Sequence, residues 1–401
     1  MTTLTLDNKT AQYLQSFDQE VIGLLDAICA ELEITPEMFH LAKKRYESIA
    51  AYLNEEGSPL RKFHITIYPH GSTNLETTVK PVNGIEHDVD VICHMLVPES
   101  ERQTAFLDLV YNRLKQRGCY TLRRMNRCVR VQYANEFHID ITPAIPDADL
   151  GPENILVTDK EVGRLKESNT KDYRVWFQGI AALGPRISYA DREVLKTFSA
   201  NAEPLPAPKF SKPMLNRIIQ LMKRHGDVMF AGDKEAPISA IITTLAALSY
   251  EFHANRNVFP NQIDFLQAVV RDMPKFITRD GAEERVPNPT NRLENYADKW
   301  LHHPERKAAF YKWHAAVVTH VAEVLGSADA GKVTLFETLS SAYGNDVVKA
   351  ATVKRAELRR IESDAKVLGV TKKSGIIAPV AAGSHLTRSV LPVLRHTNFG
   401  C

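Results

Sequence analysis

Two short segments in which acidic and apolar residues alternate constrain this chain more than any other feature. In residues 88–92, DVDVI, a strand would place its side chains alternately on two faces, so that Asp88 and Asp90 share a face and lie ~6–7 Å apart along the backbone. Residues 137–141, FHIDI, repeat the alternation and set Asp140 opposite its apolar neighbours. If the two strands are neighbours, three carboxylates converge on one face of a sheet.

Such a carboxylate cluster predicts a metal site. Like charges held together are costly unless cations neutralise them, and ligand sets made only of oxygen suit Mg²⁺ or Mn²⁺. Two such ions held ~3.5–4 Å apart serve in-line displacement at phosphorus. We therefore expect two Mg²⁺ ions, which Mn²⁺ can replace, at Asp88, Asp90 and Asp140.

A phosphate-binding turn is predicted just upstream of this site. A strand around Ile65 and Ile67 runs into His70, Gly71 and Ser72. Glycine permits close backbone approach, and the N–H and hydroxyl groups of Ser72 at the start of a helix can hold a phosphate. Each signal alone is usually an ordinary loop or a solvated strand face. The order of strand, Gly-Ser turn, Asp-x-Asp strand and Asp strand is much more specific than any of its parts.

The remaining pattern divides the 401 residues into four parts. Apolar stripes at helical spacing come first, a mixed α+β unit follows, and four prolines in the ten residues 204–213 mark a boundary. Beyond that boundary the spacing predicts helices over residues 214–225, 239–252, 262–271, 291–301, 307–325 and 335–360. The parts are N-terminal helices packing on the core (1–60), the mixed core (61–203), a helical domain (204–365) and a mobile C-terminal tail (366–401).

Composition excludes several classes of protein. Lys and Arg number 50 against 48 Asp and Glu, so no global field indicates a nucleic acid or membrane partner. The five cysteines are scattered without a CxxC pair, which favours a reducing compartment and argues against structural zinc. The polar N-terminus and the lack of an apolar run of ~18 residues predict no signal peptide and no membrane span. We expect a cytoplasmic protein.

The motifs resemble those of the bacterial cGAS/DncV-like nucleotidyltransferases (CD-NTases), within the polymerase-β-type superfamily. The resemblance is carried by residues 70–81, HGSTNLETTVKP, and 87–91, HDVDV, and further by residues 168–177, 215–223 and 237–247. One departure is Glu76, where the family often has glycine. The resemblance implies an α+β fold: a polymerase-β-like nucleotidyltransferase core, with a mixed sheet and helices, plus a C-terminal helical domain resembling that of oligoadenylate synthetase.

The resemblance also implies roles for individual residues. Asp88, Asp90 and Asp140 would bind the two metal ions, and Asp140 would take the proton of the attacking ribose hydroxyl. Gly71 and Ser72 would hold the donor triphosphate. Lys223 and Ser239 match helical-domain positions that touch the triphosphate in relatives. For Lys223 a solvated helix end, and for Ser239 an N-cap after Pro237, stay open as alternatives.

The implied activity is synthesis of a cyclic di- or trinucleotide second messenger from NTPs. ATP is expected among the substrates, with GTP and others left open, and the setting is anti-phage defence of the CBASS type. One alternative is a template-free RNA 3′-end nucleotidyltransferase, which the net charge of +2 and the lack of a visible RNA-binding module disfavour. The other is a catalytically inactive binding protein. No Cys/His cluster could supply a zinc module, so we expect no DNA activator.

Two further features allow opposite interpretations. The arginines at 123, 124, 127 and 130 could gather nucleotide phosphates, but we favour a solvated loop because aromatic residues are not interleaved among them. At the C-terminus, Phe399 and Gly400 before Cys401 resemble family tails that a ubiquitin-activating-like enzyme joins to other molecules. A disordered end is the alternative, and the one we favour.

Overall fold

The computed structural model describes most of the chain. The described residues are 8–80, 87–102, 105–118, 121–133, 137–159, 164–188, 212–330 and 332–364, together with three short strands nearer the C-terminus. The helices are α1 (Asn8–Glu31), α2 (Pro36–Leu53), α3 (Gly71–Asn74), α4 (Phe106–Gln116), α5 (Thr170–Ala181), α6 (Met214–Phe230), α7 (Ser239–Arg256), α8 (Gln262–Asp272), α9 (Pro304–Ala330), α10 (Lys332–Tyr343) and α11 (Asn345–Asp364). Short 3₁₀ turns cover Arg61–Phe63, Glu99–Glu101 and Met273–Phe276.

One mixed sheet forms the first lobe. Its strands are β1 (Thr66–Pro69), β2 (His87–His94), β3 (Thr121–Arg124), β4 (Val129–Tyr133), β5 (Phe137–Pro146), β6 (Ile155–Asp159) and β7 (Arg164–Ser168). The order is β1-β2-β5-β4-β3, and β6 joins the second half of β5 and pairs with β7. Only the β2–β5 pair is parallel within this sheet. The two acidic strands, β2 and β5, are therefore neighbours, which is the condition for their carboxylates to converge.

The apolar face of this sheet packs against two helices. Phe63 and Phe106 meet edge to face, with ring centroids 6.1 Å apart, and α2 and α4 supply the rest of the layer. Helix α2 begins where its sequence dictates, because Pro36 occupies the first turn and the Thr35 hydroxyl accepts a hydrogen bond from the Met38 N–H. With the apolar face covered, the polar face of β2 and β5 is left for chemistry.

The second lobe is a helical assembly that includes the first helix of the chain. Helix α1 packs against α6 and α11 rather than against the sheet, and its buried face shares a core with residues such as Ile219 and Trp313. Asp18 of α1 accepts hydrogen bonds from the backbone N–H groups of Gln262 and Ile263 at the start of α8. These contacts fix α1 in the lobe that lies opposite the sheet across the cleft.

The predicted helix over residues 291–301 is wrong. Residues Asn291–Asn295 form strand β13, paired with β12 (Pro287–Asn288). Asparagine side chains satisfy the backbone locally: Asn291 Oδ1 accepts from the Leu293 N–H, and Asn295 Oδ1 accepts from the N–H groups of Val286 and Ala297. Such bonds compete with helical ones. The segment does have apolar residues at helical spacing, but the hydrogen bonds of its asparagine side chains stabilise a strand and turns instead.

Two more expectations about the C-terminal half need correction. The helix expected over residues 335–360 is broken at Gly344, whose φ of +92° ends α10 and starts α11. The tail expected to be mobile contains a three-stranded sheet of β14 (Leu368–Thr371), β15 (Ile377–Pro379) and β16 (Val390–Pro392). Residues 393–401, and with them the Phe399-Gly400 ending, lie outside the described residues.

The remaining strands are small additions to the helical lobe. They are β8 (Arg186–Ile187) with β9 (Val258–Phe259), and the hairpin of β10 (Thr278–Asp280) and β11 (Glu283–Arg285). Within the described residues, no helix is long and apolar enough to cross a lipid bilayer.

Candidate active site

Strand register brings the predicted carboxylates together. Asp90 of β2 lies directly beside Asp140 of β5 in the parallel pair, and Asp140 lies beside Arg130 of β4 in the antiparallel pair. Residues opposite one another in paired strands point to the same face of a sheet. Asp90, Asp140 and Arg130 therefore form a row across three strands, with Asp88 on the same face of β2.

Gly71 begins α3 just after β1 and brings the turn against Asp90. The His70 N–H donates to the Asp90 carbonyl over 3.0 Å, extending the β1–β2 pairing. Gly71 then takes a φ of +62°, and a Cβ atom placed on it would lie 2.6 Å from Asp90 Oδ2. Ser72 follows in the four-residue helix α3 and lines the same cavity. The strand, the turn and the carboxylate that follow one another in the sequence are thus in contact in the structure.

We expect Gly71→Ala to reduce activity by ~10² or more while costing only about 1 kcal/mol of stability. The left-handed backbone accounts for the stability loss, whereas the added methyl group displaces the flexible Asp90 carboxylate. Gly57→Ala is the matched control, because Gly57 has a φ of +82° and a Cβ atom placed on it would have no neighbour within 4 Å. Thermal unfolding should shift equally in both variants, and product formation should fall in Gly71→Ala alone. Equal activity in the two variants would contradict this assignment.

Loss of solvent and mutual repulsion raise the pKa values of the two carboxylates of β2, Asp88 and Asp90. Partial loss of solvent raises the pKa of Asp88, whose side chain is still half exposed, and the charges of Asp140 and Asp90 raise it further, while Arg130 opposes both effects. Burial also raises the pKa of Asp90, with Asp140 adding to the shift and His70 opposing it. These carboxylates carry an electrostatic cost that bound cations would relieve.

Arg130 is the cation that the fold itself supplies. Its Nε donates to Asp140 Oδ1 over 2.8 Å and its Nη2 to Asp140 Oδ2 over 2.7 Å. The same Nη2 lies 3.4 Å from Asp88 Oδ1. Contact with the carboxylates raises the pKa of Arg130, so the guanidinium stays charged. Our interpretation of this stretch as a solvated loop is wrong for Arg130 and for Arg127, which pairs with Asp159 and lines the cavity.

The donor chemistry at this point fits a divalent metal. The carboxylates of Asp88, Asp90 and Asp140 provide only oxygen ligands, as Mg²⁺ and Mn²⁺ prefer. The missing side chain of Gly71 lets the Asp90 carboxylate lie against the backbone of the turn, and His70 Nε2 is buried without a hydrogen-bond partner among the described residues. Within those residues no three His, Cys, Asp or Glu side chains already surround a single metal position. The two-metal assignment therefore stays a prediction.

Lys223 enters the cavity from the helical lobe. It is buried in α6, where its Nζ donates to the carbonyl and hydroxyl oxygens of Thr77, over 3.2 and 3.1 Å. Burial lowers the pKa of Lys223 to about 8. This burial excludes the alternative of a solvated helix end. Ser239 is the exposed first residue of α7 and lines the cavity, whereas Ile238 holds the N-cap position.

The cleft between the lobes is a cavity of about 850 Å³. The structure brings six of the predicted site residues to this one cavity. They are Gly71, Ser72, Asp88, Asp90, Lys223 and Ser239. Asp140 lies beside Asp90 but is 7% exposed, beneath Arg130. Volumes of this size are at the upper end of small-molecule sites.

Sequence reasoning missed the residues that close the far side of the cavity. Glu294 and Tyr296 reach it from β13 and the following turn, in the segment taken for a helix. Glu294 accepts hydrogen bonds from Ser168 Oγ and Asn288 Nδ2, over 2.9 and 2.7 Å, and burial raises its pKa. Tyr173 packs edge to face on Tyr296, with centroids 6.0 Å apart. The only sequence signal was the cluster of asparagines around 288–295.

The structure places the Gly-Ser turn and the paired acidic strands together on one mixed sheet, as the resemblance to nucleotidyltransferases predicts. Residues 21–180 match the profile of the Second Messenger Oligonucleotide or Dinucleotide Synthetase (SMODS) domain. This match agrees with the resemblance to the CD-NTases that the motifs carry.

Relatives are similar over most of their length. The chain is 29% identical over 368 residues to the c-di-GMP synthase of Roseivirga ehrenbergii, covering 88% of this chain and 90% of the relative. It is 24% identical over 413 aligned positions to the cyclic dinucleotide synthase CdnG of Bradyrhizobium diazoefficiens, covering 94% of each. The predicted enzyme class, a nucleotidyltransferase, is thereby confirmed.

Solved structures share the fold. The CD-NTase CdnG of Bradyrhizobium diazoefficiens in complex with GTP superposes with a TM-score of 0.63 at 21% identity, covering 82% of this chain and 97% of that one. Vibrio cholerae DncV, with a linear intermediate, gives a TM-score of 0.51 at 16% identity, covering 86% and 93%. The α+β core with a helical C-terminal region is confirmed.

Proposed function

We propose that this enzyme joins two nucleotides into a cyclic dinucleotide, that GTP is a substrate, and that the reaction depends on Mg²⁺. The observation that carries the proposal is the pairing of Asp90 with Asp140 beside the Gly71 turn, where Asp88 and Asp90 line a cavity of about 850 Å³. The relatives named c-di-GMP synthase and CdnG, one with a GTP complex, support guanine as a base. ATP as a second substrate stays a prediction.

Some residues of the cleft bind the donor triphosphate, and another accepts a proton. Ser72 and the backbone of Gly71 hold the donor triphosphate, and Lys223 adds a cation from the opposite lobe. Asp140 accepts the proton of the acceptor ribose hydroxyl. The hydroxyl oxygen then bonds to the α-phosphorus while the bond to the bridging oxygen breaks and pyrophosphate leaves. Divalent ions held by Asp88, Asp90 and Asp140 would neutralise charge developing on both oxygens.

The product identifies the function. Purified protein is incubated with all four NTPs and Mg²⁺, with and without RNA, and the products are separated and weighed by mass spectrometry. We expect a phosphatase-resistant cyclic dinucleotide containing guanine, formed without RNA and lost when Mg²⁺ is chelated. Extension of added RNA as the only reaction would favour the RNA-tailing alternative. If neither Mg²⁺ nor Mn²⁺ supports product formation, the alternative of a catalytically inactive binding protein would be favoured.

Lys223 should give the reaction an alkaline limit. Its pKa of about 8 means that the folded enzyme loses this cation as the pH rises through 8, so kcat/KM for GTP should fall above that pH. Lys223→Arg keeps its charge, and its kcat/KM should stay level to pH ~9.5. Because the folded pKa lies below the unfolded value of ~10.4, the wild-type fold should also gain stability between these pH values. A parallel fall of kcat/KM in the arginine variant would contradict the role of Lys223.

We propose CBASS-type anti-phage defence as the setting, on the ground of the family resemblance alone.

Joining of the C-terminus to other molecules by a ubiquitin-activating-like enzyme is a separate proposal, based on Phe399 and Gly400. Deleting residues 398–401 should leave synthesis by the purified enzyme unchanged and remove any covalent adduct formed when partner genes are co-expressed. Adducts on the truncated protein would refute the tail as the attachment point.

A further inference from the structure

We propose that Arg130 is a positioning residue that holds Asp140 in the metal-free enzyme and is displaced from it when metal-bound nucleotide enters. The proposal rests on the proposed function, since it concerns the same carboxylates. It extends that function by stating that the Arg130 guanidinium and the metal ions compete for the same carboxylate oxygens.

Arg130 uses both oxygens of Asp140. The Nε–Oδ1 and Nη2–Oδ2 distances of 2.8 and 2.7 Å describe a two-pronged ion pair, the strongest arrangement open to a carboxylate and a guanidinium. Each oxygen held in this way has one lone pair occupied, and the positive charge of the guanidinium opposes a cation or a proton at the other. Asp140 therefore becomes a better metal ligand and a stronger base when Arg130 releases at least one oxygen.

The fold also fixes the position of Arg130 beside Asp140. Arg130 is the register partner of Asp140 across the β4–β5 pair, and its neighbours Val129 and Val131 are buried on the opposite face. The arginine is thus a built element of the row rather than a long surface side chain that reached the site. Its side chain is nevertheless 22% exposed, against 10% for Asp140, so it has room to move toward the cleft.

Arg130 contacts two of the carboxylates that would hold the metal ions. Its Nη2 also lies 3.4 Å from Asp88 Oδ1, and so one guanidinium partly neutralises carboxylates on two strands. A divalent ion and this guanidinium compete for the same oxygens. Removing the arginine leaves more negative charge at the site and favours cation binding.

The test measures metal affinity rather than turnover. Free Mn²⁺ is followed by electron paramagnetic resonance in the presence of α,β-methylene-GTP, which cannot release pyrophosphate. Arg130→Gln should bind Mn²⁺ about tenfold or more tightly than wild type, and Arg130→Lys should fall between them. Arg124→Gln is the matched control, because Arg124 lies on the neighbouring strand β3 and pairs with Asp108, outside the cavity. Its affinity should equal that of wild type.

The outcomes separate the two proposals. Asp140→Asn should weaken Mn²⁺ binding; if it does not, the metal assignment fails. If Asp140→Asn weakens binding while Arg130→Gln binds no more tightly than wild type, the displacement proposal alone is overturned. Should Arg130→Gln not fold, the Nε–H resonance of Arg130 in the wild-type enzyme, assigned with Arg130→Lys, decides. It should shift on adding Mg²⁺ with α,β-methylene-GTP, and an unmoved resonance would overturn the proposal.

Discussion

Asp90→Ala should abolish nucleotidyl transfer, by at least ~10³-fold, and leave the metal-free fold as stable as the wild type or more so. Burial and Asp140 raise the pKa of Asp90, so its ionised form weakens the fold at every pH above that pKa. Replacing it removes this penalty at pH 7. The comparison is thermal unfolding in chelator beside product formation with Mg²⁺.

Asp140→Ala should lose activity to the same degree but behave oppositely in stability. Its removal leaves the guanidinium of Arg130 without the two hydrogen bonds that Asp140 accepts, at a cost of about 2 kcal/mol for a partly exposed pair. Asp88→Ala should also be inactive, with little change in stability, because the Asp88 side chain is 48% exposed. Wild-type turnover in any of the three variants would refute the active-site assignment.

Asp159→Ala should produce the largest loss of stability, about 3–5 kcal/mol, as expected when one partner of a buried ionic network is removed. The Asp159 side chain is fully buried and contacts Arg127 over 2.9 Å and Lys166 over 3.5 Å. Asn126 Nδ2 donates to it over 3.0 Å. Both cations also pair with Asp298 from the helical lobe, so the network joins the two lobes beside the cleft.

The unfolding midpoint in denaturant measures this effect. The ion pairs lower the pKa of Asp159, so the stability that it contributes is present above its unfolded pKa and lost as the pH falls through the lower folded value. The difference between wild type and Asp159→Ala should therefore shrink in acid. An exposed pair such as Lys43 with Glu47, at 3.9 Å, offers a control, and Glu47→Ala should change stability by less than ~0.5 kcal/mol. Equal effects of the two substitutions would contradict the network.

The active-site strands could be predicted from the sequence because their chemistry is local. A period of two places Asp88 and Asp90 on one face whatever the partner strand, and Gly71 must lie where the backbone turns. Arg130 could not be assigned in this way. Its contact with Asp140 depends on which strand lies beside β5 and in which register, and neither is written in the spacing of a single strand.

The far wall of the cavity escaped prediction for a different reason. Residues 291–301 carry apolar residues at helical spacing, but the hydrogen bonds that Asn291 and Asn295 accept from nearby backbone N–H groups stabilise a strand and turns instead. Glu294 gains its role only through Ser168 and Asn288 of other elements. Such a side chain looks like an ordinary surface acid until tertiary structure buries it.

The packing of α1 against α11 sets an order on synthesis of the chain. Lys354 Nζ contacts Glu31 Oε1 over 3.0 Å across 323 residues, an interval that a ribosome covers in roughly 16–65 s at ~5–20 residues per second. The buried core under the sheet consists of residues between Ala42 and Ile145, with Leu156 and Leu165 packed against it, and it can form within the nascent chain. Helix α1 cannot complete its packing until α11 has been made. The sheet that carries the carboxylates can therefore form before the helical lobe is complete, and we expect the nascent enzyme to stay inactive until α11 has been synthesised.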